Sequence, residues 1–76
     1  MNPFAVDSTT LRMIAYDVER QLLQLEFRDQ AIYQYFDVPA DVYHGLVGAS
    51  SKGSYFNRFI RSRFVYARVG VAPSLS

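Results

Sequence analysis

A chain of 76 residues holds one domain, and with no cysteine it has neither disulfides nor thiolate metal sites to staple it. Half of the residues are hydrophobic and six Tyr and six Phe are among them, so packing must supply the core; a domain this small buries only about 60% of the surface its unfolded chain exposes. The net charge of +1 is modest for a nucleic-acid binder, no apolar run approaches the roughly 18 residues of a membrane span, and Met1 to Ser8 lacks the regions of a signal peptide, so a cytoplasmic location is expected.

Residues 1–7 and 70–76 read as loose tails around an ordered core of about 8–67. The first predicted strand, Thr10 to Asp17, alternates loosely: Leu11, Met13 and Ala15 share one face, Ile14 and Tyr16 the other. The second, Gln21 to Phe27, is cleaner, with Leu23, Leu25 and Phe27 opposite Gln24 and Glu26. A third follows from Ala31 to Phe36. The connections are too short for crossovers, so the three strands form an antiparallel meander. A three-residue loop of Arg28, Asp29 and Gln30 sets Leu25 opposite Tyr33 and Leu23 opposite Tyr35. It avoids placing Gln34 among the leucines, but asks Gln30 for the left-handed conformation that glycine usually supplies.

After Phe36 the period changes. Pro39 suits the first turn of a helix, with Asp37 or Val38 just before it. Val42, Tyr43, Leu46 and Val47 fall on one stripe; Asp41, His44, Gly45 and Gly48 fall on the other. Ser51 is a good N-cap for a second helix from Lys52 to about Arg61. Phe56, Phe59 and Ile60 make its apolar face, opposite Ser54, Asn57, Arg58 and Arg61. Phe64 to Ala67 suits a short extended segment. The fold class is α+β: a three-stranded antiparallel meander followed by two helices on one face, βββαα.

The charges divide along the chain. Residues 1–43 hold all seven acids and three arginines, net −4. Residues 44–76 hold Lys52, Arg58, Arg61, Arg63 and Arg68 and no acid, net +5. Two readings stand: an anionic partner for the basic half, or attraction between the halves within the fold.

Three pieces of sequence, Tyr33-x-Tyr35, Val38-Pro39 and Ser51-Lys52-Gly53, together resemble the KTSC domain. The resemblance runs from about Ser8 to Tyr66. Such domains occur as small bacterial proteins and at the C-terminus of some lysyl-tRNA synthetases. It implies a role near RNA, by association only.

The residues do not suggest an enzyme. His44 has no cysteine to activate, and Asp37 and Asp41 read as complements to a helix dipole. No metal-ligand cluster and no cofactor motif is present. The expected function is a non-catalytic binding module. RNA, tRNA-like and bound through the basic second helix, is the first expected ligand; an acidic protein partner or self-association is the alternative, and the oligomeric state is left open. The nucleic-acid-binding candidates are Ser51, Lys52, Gly53, Tyr55, Arg58, Arg61, Arg63 and Arg68. Lys52 sits where the helix dipole disfavours a cation by about 0.3–1 kcal/mol. It joins hydroxyls and Gly53 in a place suited to phosphate, or in a tight turn that needs small residues. Tyr33 and Tyr35 stack on bases or, as their shared face with the leucines favours, build the core. Val38 and Pro39 are structural.

Overall fold

Leucines alternating with polar residues build the centre of the sheet. In the computed structural model, which describes residues 1–71, β1 (Phe4–Ala5), β2 (Leu11–Asp17), β3 (Leu22–Phe27), β4 (Ala31–Tyr35) and β5 (Tyr66–Val71) form one antiparallel sheet. The strand order is β1-β2-β3-β4-β5. The α+β class and the central meander are as expected; the three-stranded sheet is corrected to five. Two tails expected to be loose supply part of the difference. Phe4 and Ala5 pair with Ile14 and Met13. Arg28 Nε donates to the Ser8 carbonyl at 2.8 Å, and Ser8 Oγ accepts from the amides of Thr10 and Leu11. At the other end Gly70 and Val71 close β5; residues 72–76 of that tail lie outside the described residues.

The register of the β3–β4 hairpin follows the leucines. Leu23 lies opposite Tyr35 and Leu25 opposite Tyr33. Gln30 adopts φ 75°, the left-handed conformation that the three-residue loop demands. On the opposite face Gln34 Nε2 donates to Gln24 Oε1 at 2.9 Å. β2 departs from its expected alternation. A bulge between Leu11 and Met13 inserts one residue, so Leu11, Ile14 and Tyr16 face the core opposite Phe27, Leu25 and Leu23. Met13 and Ala15 fall on the face without helices, with Glu26 and Gln24, and Ala15 is buried there.

Helices α1 (Ala40–Gly48) and α2 (Lys52–Phe59) cover the core face. Pro39 is the cap residue, φ −66° and ψ 154°, one position before the first turn. Val38, fully buried, donates its amide to the Gln21 carbonyl and accepts the Tyr16 hydroxyl. Tyr16 in turn stacks on Tyr43 of α1, centroids 4.4 Å apart. Ser51 caps α2 by accepting from the Ser54 amide at 3.3 Å. The helix stops at Phe59 and not near Arg61, because the Ile60 and Arg61 amides both close on the Phe56 carbonyl. Leu46 of α1, Phe56 of α2 and Ile60 just after it complete the core over Leu11, Ile14, Leu23, Leu25 and Tyr35. Phe59 and Val47, placed on the apolar stripes by sequence, are exposed; Phe59 packs on Tyr55, centroids 4.7 Å apart.

Gly45 does not face outward as its position in the stripe suggests. A Cβ there would overlap the Tyr55 ring, whose hydroxyl donates to the Val42 carbonyl at 3.1 Å. Gly45→Ala is therefore expected to destabilise the fold by about 1–3 kcal/mol, the range for overpacking. Gly48 has open space around it, so Gly48→Ala should stabilise by up to about 1 kcal/mol through helix propensity. Urea denaturation of the two variants reads both signs at once.

Candidate nucleic-acid interface

Two rows of side chains cross the helix-covered face of the sheet. One runs Phe4, Ile14, Leu25, Tyr33 and Arg68; the other runs Tyr16, Leu23, Tyr35 and Tyr66. Both begin in the core and emerge on β5, most of whose residues are exposed. Where they emerge, a groove of about 540 Å³ opens between the end of α2 and the β4–β5 pair. Its walls are Phe27, Tyr33, Tyr35, Phe56 and Tyr66. Asp29, Asn57 and Arg61 are among the polar groups that line it.

The aromatic groups hold one another by edge contacts. Phe56 meets Phe27 at 5.3 Å and 72°, and Tyr35 at 5.6 Å and 78°. Tyr66 lies 5.7 Å from Tyr33 and 5.6 Å from Tyr35. Exposure rises along this cluster from 4% at Tyr35 to 55% at Tyr66. The hydroxyls of Tyr16 and Tyr55 each donate to a carbonyl. Those of Tyr33, Tyr35 and Tyr66 have no protein partner among the described residues, and no polar side-chain atom is buried without one. The nearly buried Tyr35 therefore meets the groove through its hydroxyl.

Burial, then the neighbouring Tyr33 and Tyr66, push the Tyr35 hydroxyl from 10.0 up to about 12, against the opposing charge of Arg61. The unfolded chain thus ionises first. The stability this group contributes is complete below pH about 10. It is lost as pH rises through about 12. Tyr35→Phe should show a shallower alkaline decline of stability than the parent; Tyr16, also raised by burial and then by Asp41 and Asp17, keeps part of the decline in both.

The cations separate into two groups. Arg61 lines the groove, its Nη1 3.5 Å from Asn57 Oδ1. Arg58 and Arg63 are exposed at the same end of α2, where Arg63 Nε donates to the Arg58 carbonyl at 3.3 Å. Arg68 is exposed opposite Tyr33. Lys52 lies elsewhere. Its Nζ donates to the Ala49 carbonyl at 3.1 Å, where the C-terminus of α1 favours a cation. Ser51 is occupied as a cap, and a Cβ on Gly53 would overlap the Thr10 hydroxyl. Ser51-Lys52-Gly53 thus forms the tight junction between helices, and Tyr55 pins α2 to α1. Of the eight sequence candidates, Arg61 alone lines the groove; Arg63 and Arg68 are exposed on the segments beside it, and the Arg58 guanidinium lies over the Phe59 ring, 5.5 Å from its centroid. Tyr33 and Tyr35 serve core and groove together.

Sequence reasoning missed Tyr66, Asn57 and Asp29 as groove residues. Tyr66 carried no signal because an exposed edge strand has no burial period. Among the described residues neither ion pair joins the two charge halves: Arg12–Glu26 at 3.5 Å and Arg20–Asp17 at 3.8 Å both lie within residues 1–43. Among the described residues no three His, Asp or Glu side chains are placed to hold a metal ion. No described helix is long and apolar enough to cross a membrane.

Comparison with known proteins adds a lineage to this geometry. The KTSC domain matches residues 7–64. The chain is 33% identical over 63 residues to a lysine–tRNA ligase of Nostoc punctiforme, an alignment covering 83% of this chain and 11% of the ligase. It is 39% identical over 61 residues to an uncharacterised protein of Stutzerimonas stutzeri, covering 80% of this chain and 86% of that protein. The crystal structure of a KTSC domain protein from Yersinia pestis superposes with a TM-score of 0.88 at 32% identity, over 91% of this chain and 97% of that one.

Proposed function

The chain belongs to the KTSC domain family, and from that premise we propose that it is a non-catalytic module that binds single-stranded RNA in the groove beside β5. Bases stack on Tyr66 and the exposed edge of Tyr33, while Arg58, Arg61, Arg63 and Arg68 meet the phosphates. The observation that carries the reading is the exposed ring of Tyr66, 55% accessible, in a groove also lined by Arg61. Single-strand binding uses this combination of π-faces and cations. The lysine–tRNA ligase relative adds support, since its name ties a similar segment to an enzyme of tRNA. That segment is a tenth of the ligase, so the ligase's own activity is not carried over.

Titration of a labelled single-stranded RNA at two salt concentrations tests the reading. Four arginines on four phosphates give a log–log slope of about −2 to −3. Tyr66→Ala should weaken binding by about 1–3 kcal/mol, the worth of one stacked base. Binding that is absent at low salt, or indifferent to Tyr66, contradicts it.

Self-association is the second reading, favoured by one feature. β5 is an edge strand, and Val65, Val69 and Val71 at or beside it are exposed. Such an edge is a template for a further strand. Mass measurement in solution distinguishes monomer from dimer.

A further inference from the structure

We propose that the groove selects guanine, and that the carboxylate of Asp29 is the selecting group. The inference rests on the RNA reading above and names the base that the groove takes.

Asp29 sits in the β3–β4 loop and lines the groove. Its Oδ1 accepts from the Ala31 amide at 3.0 Å. Oδ2 has no partner among the described residues, and neither ion pair there involves Asp29. The turn needs only the Oδ1 acceptor, which asparagine supplies equally well. The negative charge is thus more than the turn requires. In a groove that Arg61 lines and that takes a polyanion, it weakens every phosphate contact, unless it meets donors on the base.

An ionised carboxylate only accepts hydrogen bonds. Guanine alone among the four bases carries two adjacent N–H donors, N1–H and the N2 amino group, on one edge. Adenine and cytosine set one amino donor beside a ring nitrogen acceptor, which a carboxylate repels. Uracil offers one imino donor between two carbonyls. Paired, charge-assisted bonds to guanine are the strongest contact Asp29 can make. Asn57 complements it from the same groove. Its Oδ1 faces Arg61 at 3.5 Å, which leaves the amide N–H groups to donate to guanine O6.

The test compares U-rich RNA hexamers that carry one central guanosine, inosine or adenosine, by fluorescence anisotropy on the full chain at low salt. Guanosine should bind about tenfold or more tighter than adenosine, as a good bidentate base contact provides. Inosine, which keeps N1–H and O6 but lacks the N2 amino group, should fall between. Asp29→Asn keeps the turn acceptor, so it should melt like the parent and bring the guanosine and adenosine affinities together. Equal affinities in the parent, with binding still weakened in Tyr66→Ala and Arg61→Gln, overturn guanine selection and leave the RNA reading in place. Failure of every hexamer to bind at low salt, with poly-glutamate bound through Arg61, overturns both in favour of an acidic protein partner.

Discussion

Tyr35→Ala is expected to destabilise the protein by about 3–5 kcal/mol, the range for deleting a large aromatic side chain from a core. Tyr35 is 4% exposed and lies opposite Leu23, with Phe56 against its ring and Tyr33 and Tyr66 beside it. Removing it empties the space where sheet, α2 and β5 meet. A domain this small has only about 5 kcal/mol or somewhat more to lose, so the variant should be largely unfolded at physiological temperature. Tyr35→Phe is the control. The hydroxyl makes no protein hydrogen bond among the described residues, so its loss should leave the melting temperature near that of the parent. Thermal unfolding followed by circular dichroism reads both. A stable Tyr35→Ala variant means that the ring is not part of the core.

Replacing Arg58, Arg61 and Arg63 together with Gln should lower affinity for single-stranded RNA about a hundredfold, which is roughly 2.7 kcal/mol. It should also flatten the salt slope, since only Arg68 is left to release counterions. All three side chains are exposed and none forms an ion pair among the described residues. Their loss should therefore move the melting temperature by only a few degrees, the shift expected from about 1 kcal/mol in a domain of this size. Lys52→Gln should behave in the opposite way. It gives up the hydrogen bond to the Ala49 carbonyl, which costs about 0.5–1.5 kcal/mol, and it leaves RNA affinity alone. Collapse of the triple variant contradicts the assignment and makes the charge split internal architecture.

The centre of this fold is legible because its physics is local. Leu23 and Leu25 alternate with Gln24 and Glu26, and only one register keeps Gln34 away from them. The same rule reads Tyr33 and Tyr35 onto the core face. Ser51 announces its helix because a cap hydroxyl acts within three residues. What escapes depends on partners distant in sequence. The bulge near Arg12 turns Met13 outward, and β2 shows only a weak alternation as its trace. β1 is two residues long and exists because β2 offers an edge and Arg28 holds the segment beside it. β5 has no apolar period at all, since nearly every residue is exposed; its pairing with β4 defines it. The meaning of Ser51-Lys52-Gly53 was ambiguous for the same reason. A lysine in the first turn of α2 looks misplaced until α1 ends beside it, and Gly53 looks like room for a ligand until Thr10 fills the space. The arginines were visible as a basic half of the chain. That one of them, Arg61, lines an aromatic groove became visible only with β5 in place.

The most direct test of the groove is a titration of the isotopically labelled domain with single-stranded RNA, followed by amide chemical shifts in NMR. The expected result is a continuous patch of shifted amides at Asp29, Tyr33, Asn57, Arg61, Ser62, Tyr66 and Arg68, growing as salt is lowered. Shifts confined to Ser51, Lys52 and Gly53, or to the face without helices around Met13, Gln24 and Gln34, would contradict it.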